Sequence, residues 1–186
     1  MSPRVGLDIN IIINTAAELV DTEGLESITL AKIARKLNVR PPSLFNHIQG
    51  LPSIKRELSL LGLTQLYNSL QNALNKKEGD AAIYALAYAY TEFARKHPGL
   101  YGLILQAPDP SDKELQMASN QIIGLLSDVL KAYDLTEEDI IHAIRALRSI
   151  LHGFSSLGQN GGFGLPVNLE KSFELMMNGF LVSIKK

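Results

Sequence analysis

Apolar residues recur at three- and four-residue intervals along almost the whole chain, and no stretch alternates apolar with polar residues between hairpin turns. The pattern predicts an all-α fold. Ile9, Ile12, Ile13, Ala16, Leu19 and Val20 form one stripe, and Gly24 is placed to end it as a left-handed C-cap, giving a first helix over 9–23. Thr29 can cap a second helix running to about Leu37, with Ile33, Ala34 and Leu37 inward and Lys32, Arg35 and Lys36 outward. Asn38 tolerates a positive φ and suits a tight turn. Arg40 is pushed toward an extended shape by the proline that follows it. Pro41 and Pro42 lack amide hydrogens, which a first helical turn does not need, so a third helix is expected over 41–47, closed by Gly50.

A fourth, long helix is predicted from Pro52, striped by Leu58, Leu61, Leu66, Leu70 and Leu74, and long enough to join two parts of the molecule. Further helices are expected over 80–96, 99–106, 112–133, 136–157 and 168–184. They are separated by Pro98-Gly99, Pro108-Asp109-Pro110, Asp134 with Thr136, and a Gly-rich stretch over 158–166. No internal repeat is present.

Composition narrows the class. There is no cysteine among the 186 residues, so disulfides and thiolate metal sites are excluded, which fits a reducing compartment. Asp8 and Asn10 interrupt the only early apolar run, so no signal peptide is read, and no segment reaches the roughly 18 apolar residues that would span a bilayer. The expectation is a cytoplasmic protein with no membrane partner. The net charge of -1 hides an uneven distribution. Residues 1–28 carry Arg4 against five acids. Residues 29–56 carry Lys32, Arg35, Lys36, Arg40, Lys55 and Arg56 with no acid, and the remainder holds eleven bases against fourteen acids.

The basic stretch coincides with a helix-turn-helix pattern, which needs a small residue at the helix crossing, a turn residue with an unusual backbone angle, and apolar positions that lock the pair. Ala34, Asn38, Val39 and Leu44 supply these. The second helix of such a pair enters the major groove while flanking groups hold phosphates. Here it presents Arg40, Pro42, Ser43 and Asn46. Asn46 can pair with adenine through two hydrogen bonds, Ser43 can bond several bases, and the Pro42 ring offers an apolar contact such as a thymine methyl. Thr29, Lys32, His47 and the start of the fourth helix are the expected phosphate contacts.

The segments Thr29-Leu30-Ala31-Lys32-Ile33-Ala34, Leu37-Asn38-Val39 and Ser43-Leu44-Phe45-Asn46-His47-Ile48 resemble the DNA-binding domain of TetR/AcrR-type regulators. Residues 90–101, Leu151-His152-Gly153-Phe154 and Gly161-Gly162-Phe163-Gly164 are similar to the subgroup whose C-terminal domain is called WHG. The resemblance covers nearly the whole chain. It implies a helix-turn-helix DNA-binding domain over 1–51 and a helical regulatory and dimerisation domain over 52–186. The chain departs from the family at Phe45, where tyrosine is usual, at Leu51, where lysine is usual, and at Leu151, which replaces the tryptophan. Phe45 therefore lacks a phenol for phosphate, and Lys55 and Arg56, one turn after Leu51, are placed to compensate for the missing cation.

What the resemblance implies about control is a homodimer formed through the last two helices, binding a palindromic operator on double-stranded DNA and released by a small-molecule effector, with repression the commoner outcome. Phe173, Met176, Met177, Phe180, Leu181 and Ile184, together with Ile144, Leu147, Leu151 and Phe154, make apolar stripes that a subunit contact could bury. The effector pocket is expected among Tyr84, Tyr88, Tyr90, Phe93, Tyr101, Met117, Gln121, His152 and Phe154. No cofactor is expected. Asp139 and His142 have the spacing of a metal pair but no matching second pair, the Gly158 to Gly164 stretch lacks the Lys-Ser/Thr ending of a phosphate loop, and Ser155 and Ser156 lack a nucleophile setting, so no enzyme is expected. The competing reading is a helical protein-interaction module without DNA binding.

Overall fold

The helices begin and end where side-chain caps, prolines and turn residues take over from the regular hydrogen-bond ladder. The computed structural model describes residues 6–185; Arg4, counted above, lies outside them. In order they form α1 (Ile9–Glu23), α2 (Leu30–Lys36), α3 (Leu51–Leu74), α4 (Gly79–Lys96), α5 (Pro98–Leu103), α6 (Lys113–Leu130), α7 (Glu137–Gln159) and α8 (Leu169–Ile184). Two 3-10 segments, Leu25–Ser27 and Pro41–Asn46, complete them. The fold is all-α, with no strand among the described residues. Side chains of Asp8, Thr29, Thr136 and Asn168 cap α1, α2, α7 and α8 by accepting from amides two or three residues ahead.

Four of the differences from the sequence expectation have a plain local reason. Gly24 ends α1 with the positive φ expected of a glycine cap (85°), its amide bonded to the Val20 carbonyl, but its ψ of 159° departs from the left-handed helical value and leads into the 3-10 turn Leu25–Ser27. The segment expected as a helix over 41–47 is a 3-10 helix over Pro41–Asn46: the Ser43 amide bonds back three residues to Arg40 and the His47 amide three residues to Leu44. α5 stops at Leu103 as Ile104 bonds to Tyr101, and α6 stops at Leu130 as Tyr133 bonds back to Leu130.

The chain divides into two compact units. The first comprises Met1–Thr64 and Lys96–Gln116. Its fully buried side chains include Ile12, Ile33, Leu44, Ile54, Leu58 and Leu100. α1 and α5 meet at backbone contact. A Cβ on Gly99 would lie 2.3 Å from the carbonyl carbon and oxygen of Val20, so only glycine fits there. One oxygen of Asp21 accepts from the amides of Gly99 (2.9 Å) and Leu100 (3.0 Å), capping α5 from another helix, and its second oxygen lies 2.8 Å from Nδ1 of His97.

The second unit comprises Gln65–Arg95 and Met117–Lys186. Asp80 at the start of α4 accepts from the Tyr133 hydroxyl (2.9 Å) and from Lys185 (2.5 Å), and those two bonds, Lys185 first, hold its carboxyl below the usual range. α4 and α8 are joined by Tyr84, which donates to Asn178 (2.9 Å), and by Tyr88, which donates to Glu170. Gln159 of α7 donates to the Ala94 carbonyl of α4 (2.6 Å).

The apolar stripes expected to meet a second subunit lie largely within the single chain. Phe173, Met177, Phe180, Leu181 and Ile184 are buried, as are Ile144, Leu147 and Leu151, while Met176 and Phe154 are half-buried. The correction has a simple cause: α8 is apolar on more than one side, and the larger side chains face inward while Leu175 and Val182 remain 74% and 73% exposed.

Two predictions follow from these contacts. Gly99→Ala forces a methyl into the α1 backbone and should lower stability by about 2 kcal/mol or more. Gly102→Ala, where nothing lies within 4 Å of the added carbon, should leave stability equal or higher; urea melts of both variants provide the check. The Tyr88 phenol is pushed up to about 12, chiefly by its bond to the Glu170 carboxylate and then by burial. The stability this contributes is complete below the ordinary phenol value of 10 and falls away as pH climbs through about 12, because the unfolded chain releases the proton first. Ultraviolet titration, with Tyr88→Phe to identify the signal, should show Glu170→Gln moving that transition toward 10.

Candidate nucleic-acid interface

A short helix, a tight turn and a 3-10 segment form the candidate interface. Thr29 caps α2 by accepting from Lys32 N–H at 3.2 Å, which leaves its own hydroxyl hydrogen able to donate outward. At the other end Asn38 takes φ 53°, its amide bonds to Arg35 O (3.1 Å), and the Val39 amide bonds back to Ala34 O (2.9 Å). These are the paired bonds of a Schellman termination with asparagine in the left-handed position. Arg40 follows in an extended conformation (φ -80°, ψ 140°), and Pro41–Asn46 winds directly from it. Leu44 is fully buried, as are Ile33 and Ala34, and this anchors the segment to α2.

With Leu44 turned inward, the other side chains face out. Arg40, Pro42, Asn46 and His47 are exposed, Ser43 is half-buried, and Phe45 is 58% exposed.

The cations divide into two groups. Lys32 is paired with Glu23 at 2.7 Å and Lys36 with Glu18 at 2.9 Å, and the Lys32 ammonium holds the Glu23 carboxyl below its usual range. Arg35, Arg40 and Lys55 have no ion pair among the described residues. Arg56 cannot replace the missing cation at position 51. Its guanidinium bonds both oxygens of Asp112 (2.6 and 2.9 Å), Glu114 (2.8 Å) and Glu57 (2.8 Å), and these acids raise its pKa further. Of the two residues expected to compensate, only Lys55 is available. The sequence contained no sign of this, because Asp112 and Glu114 lie far along the chain.

The residues expected to hold an effector do not form a single set. In the second unit Tyr84 and Tyr88 stack (centroids 6.2 Å apart), Tyr88 meets Phe173 (5.0 Å), and Phe154 meets both Phe173 (5.0 Å) and Phe163 (5.2 Å). His152 is half-buried, Tyr90 and Phe93 are buried, and Met117 and Gln121 are exposed on α6. Tyr101 is buried in the first unit. A cavity of about 360 Å³ in the second unit is lined by Leu74, Lys77, Glu78, Gly79, Ala82, Leu125, Asp128, Val129 and Ala132, and so by none of the candidates. Sequence reasoning also passed over Ser155 as a binding group. Its Oγ is buried without a hydrogen-bond partner, which ordinarily costs about 1–3 kcal/mol. Among the described residues no three His, Cys, Asp or Glu side chains gather as a metal set; Nε2 of His142 lies 3.7 Å from Glu138 on its own helix. No helix among them is long and apolar enough to cross a membrane.

Comparison with known proteins gives this arrangement a family. Residues 83–180 match the family described as "Tetracyclin repressor-like, C-terminal domain", a span that includes all three C-terminal segments on which the resemblance rested. The chain is 40% identical over 183 residues to the uncharacterized HTH-type transcriptional regulator YobS of Bacillus subtilis strain 168, covering 97% of this chain and 94% of that one. A solved structure of a protein of unknown function from Rhodococcus sp. RHA1 shares the fold at TM-score 0.85 and 18% identity, with both chains fully covered. A TetR variant from Acinetobacter baumannii AYE, solved in complex with minocycline, shares it at TM-score 0.70 and 17% identity over 96% of each chain. The chain belongs to the TetR family of helix-turn-helix transcriptional regulators, and not to a family of enzymes.

Proposed function

We propose that the chain is a homodimeric repressor that holds a palindromic operator through residues 29–56 and leaves it when a small molecule binds the helical part of the chain. The observation that carries the reading is the outward set Arg40, Pro42, Ser43 and Asn46, displayed over a fully buried Leu44 in the most basic stretch of the sequence. Residues 1–51 are the reading domain and 52–186 the regulatory and dimerisation domain. Asn46 and Ser43 address base edges, while Thr29, Lys32, His47 and Lys55 position the head on phosphates. Lys32 exchanges Glu23 for a phosphate, so its contribution is smaller than that of an unpaired cation.

Dimerisation uses the outward faces of α7 and α8. Leu175, Gly179 and Val182 share one exposed face of α8, and Gly153 lies on α7. Glycine inside a helix costs roughly 1 kcal/mol relative to alanine, and nothing in the chain lies within 4 Å of a Cβ at Gly153 or Gly179. Close approach of a second backbone accounts for both. Two-fold symmetry then sets the two reading segments on half-sites about 34–36 Å apart.

The effector lies against Tyr84, Tyr88, His152 and Phe154, with the unpartnered Ser155 hydroxyl as a polar contact. The structural relative solved in complex with minocycline supports a small-molecule effector for this chain. Release follows from the effector binding the DNA-incompetent arrangement more tightly, whatever its absolute affinity.

Footprinting of purified protein on DNA flanking its gene tests the contacts. Asn46→Ala should change which bases are preferred, by about 1–3 kcal/mol at one position, while Lys55→Gln should weaken binding to all sequences alike. Parent-like binding by both variants would remove the assignment. For the dimer, Leu175→Glu combined with Val182→Glu should give the mass of one chain in light scattering, with folding retained, because both positions are exposed. A persistent dimer would place the interface elsewhere.

A further inference from the structure

α6 is an amphipathic helix that the core takes up only in part. Of its 18 residues Ala118 and Leu130 are buried, while Leu115, Ile122, Leu125, Leu126 and Val129 are half-buried. Protein interiors are filled to crystal density, with few voids larger than a water molecule. Here the space between the C-terminal half of α6 and the bend joining α3 to α4 stays open as the cavity of about 360 Å³. Three of the residues around it, Gly79, Ala82 and Ala132, are too small to fill it. The cavity lies wholly in the second unit and shares no residue with the ring cluster to which the effector is assigned.

Its lining divides into an apolar and a charged part. Leu74, Ala82, Leu125 and Val129 are buried or half-buried, and Lys77, Glu78 and Asp128 are exposed. Two carboxylates thus face the opening against one ammonium. That ammonium is engaged elsewhere: Lys77 donates to the Ala73 carbonyl (3.0 Å) in the last turn of α3, where a cation offsets the negative end of the helix dipole. Asp128 is paired with Lys131 (2.7 Å), whereas the Glu78 carboxylate has no hydrogen bond or ion pair among the described residues. An apolar cavity of about 150 Å³ holds one benzene ring, so this one has room for two fused rings and a short arm. We propose that the cavity is a second small-molecule site, and that its ligand is an aromatic amine whose fused rings lie against Leu74, Leu125 and Val129 and whose ammonium pairs with Glu78. The apolar wall supplies the affinity, and the unpaired carboxylate selects the sign of the charge.

The full chain is titrated with naphthylmethylamine, naphthylmethanol and naphthylacetate, which share one ring system and differ in charge. The chain has no tryptophan, so the fluorescence anisotropy of the naphthyl group reports binding directly. The amine should bind about three- to fivefold more tightly than the alcohol, the value of one partly exposed ion pair, and the acid should bind least. Glu78→Gln should bring the amine to the affinity of the alcohol and leave the alcohol unchanged. Ala132→Phe fills the cavity and should weaken amine and alcohol alike, by about tenfold or more. Both positions are exposed, so folding is retained in each variant. No binding of any probe at about 1 mM, equal affinity of the parent for amine and alcohol, a preference for the acid, or amine binding that Ala132→Phe leaves intact would each overturn the site. DNA is absent from every arm, so failure here leaves the repressor reading standing.

Discussion

The burial of Leu44 is the constraint on which the outward chemistry of this regulator depends. Leu44, Ile33 and Ala34 are at or near zero exposure, and between them the chain reverses through Asn38 at a positive φ. In a segment of three residues per turn, one inward side chain determines where its neighbours face. Ser43 and Asn46 line up on one side and Pro42 and Phe45 on another because Leu44 is held underneath. The prolines contribute by fixing φ at the first two positions, where the missing amide donors leave no bond unmade.

Charge on the reading part of the chain is divided between structure and recognition. The acids of the first 28 residues are not merely a counterweight in the total: Glu18 and Glu23 of α1 pair with Lys36 and Lys32 of α2 and tie the two helices together. Arg56 is committed to Asp112, Glu114 and Glu57. What remains for long-range attraction of a polyanion is carried by Arg35, Arg40 and Lys55, half of the six cations in the basic stretch. On the proposed reading, a field built from three cations, with two more available at the expense of an exposed ion pair, steers the molecule to DNA and leaves discrimination to short-range contacts.

Much of the fold was legible because helix ends are local events. Thr29, Pro41, Thr136 and Asn168 announce helix starts by side-chain chemistry that needs only the next few residues, and the structure places helices at each. The type of helix at 41–46 was not legible to the same degree, since the balance between bonds three and four residues back turns on where Leu44 is anchored against the rest of the fold. Long-range partners left no trace in the pattern. Asp21 reaches amides 78 and 79 residues away, and Arg56 reaches a carboxylate 56 residues away. The faces of α8 were misassigned for a related reason: Leu175, Met176, Met177, Phe180, Leu181 and Val182 surround the helix, so periodicity alone cannot say which of them face the chain's own core. Exposure of Arg40, Pro42 and Asn46 was readable from the turn chemistry, but the pairing of Lys32 and Arg56 was not.

On the proposed reading, two copies of this helix pair engage one duplex through a charged yet selective surface. Equilibrium titration of the intact protein onto double-stranded DNA over a series of salt concentrations, read for both stoichiometry and slope, tests it most directly. Two chains per duplex site are expected, with an affinity whose logarithm falls linearly with the logarithm of salt. Absence of binding in dilute buffer, or an affinity insensitive to salt, would contradict it.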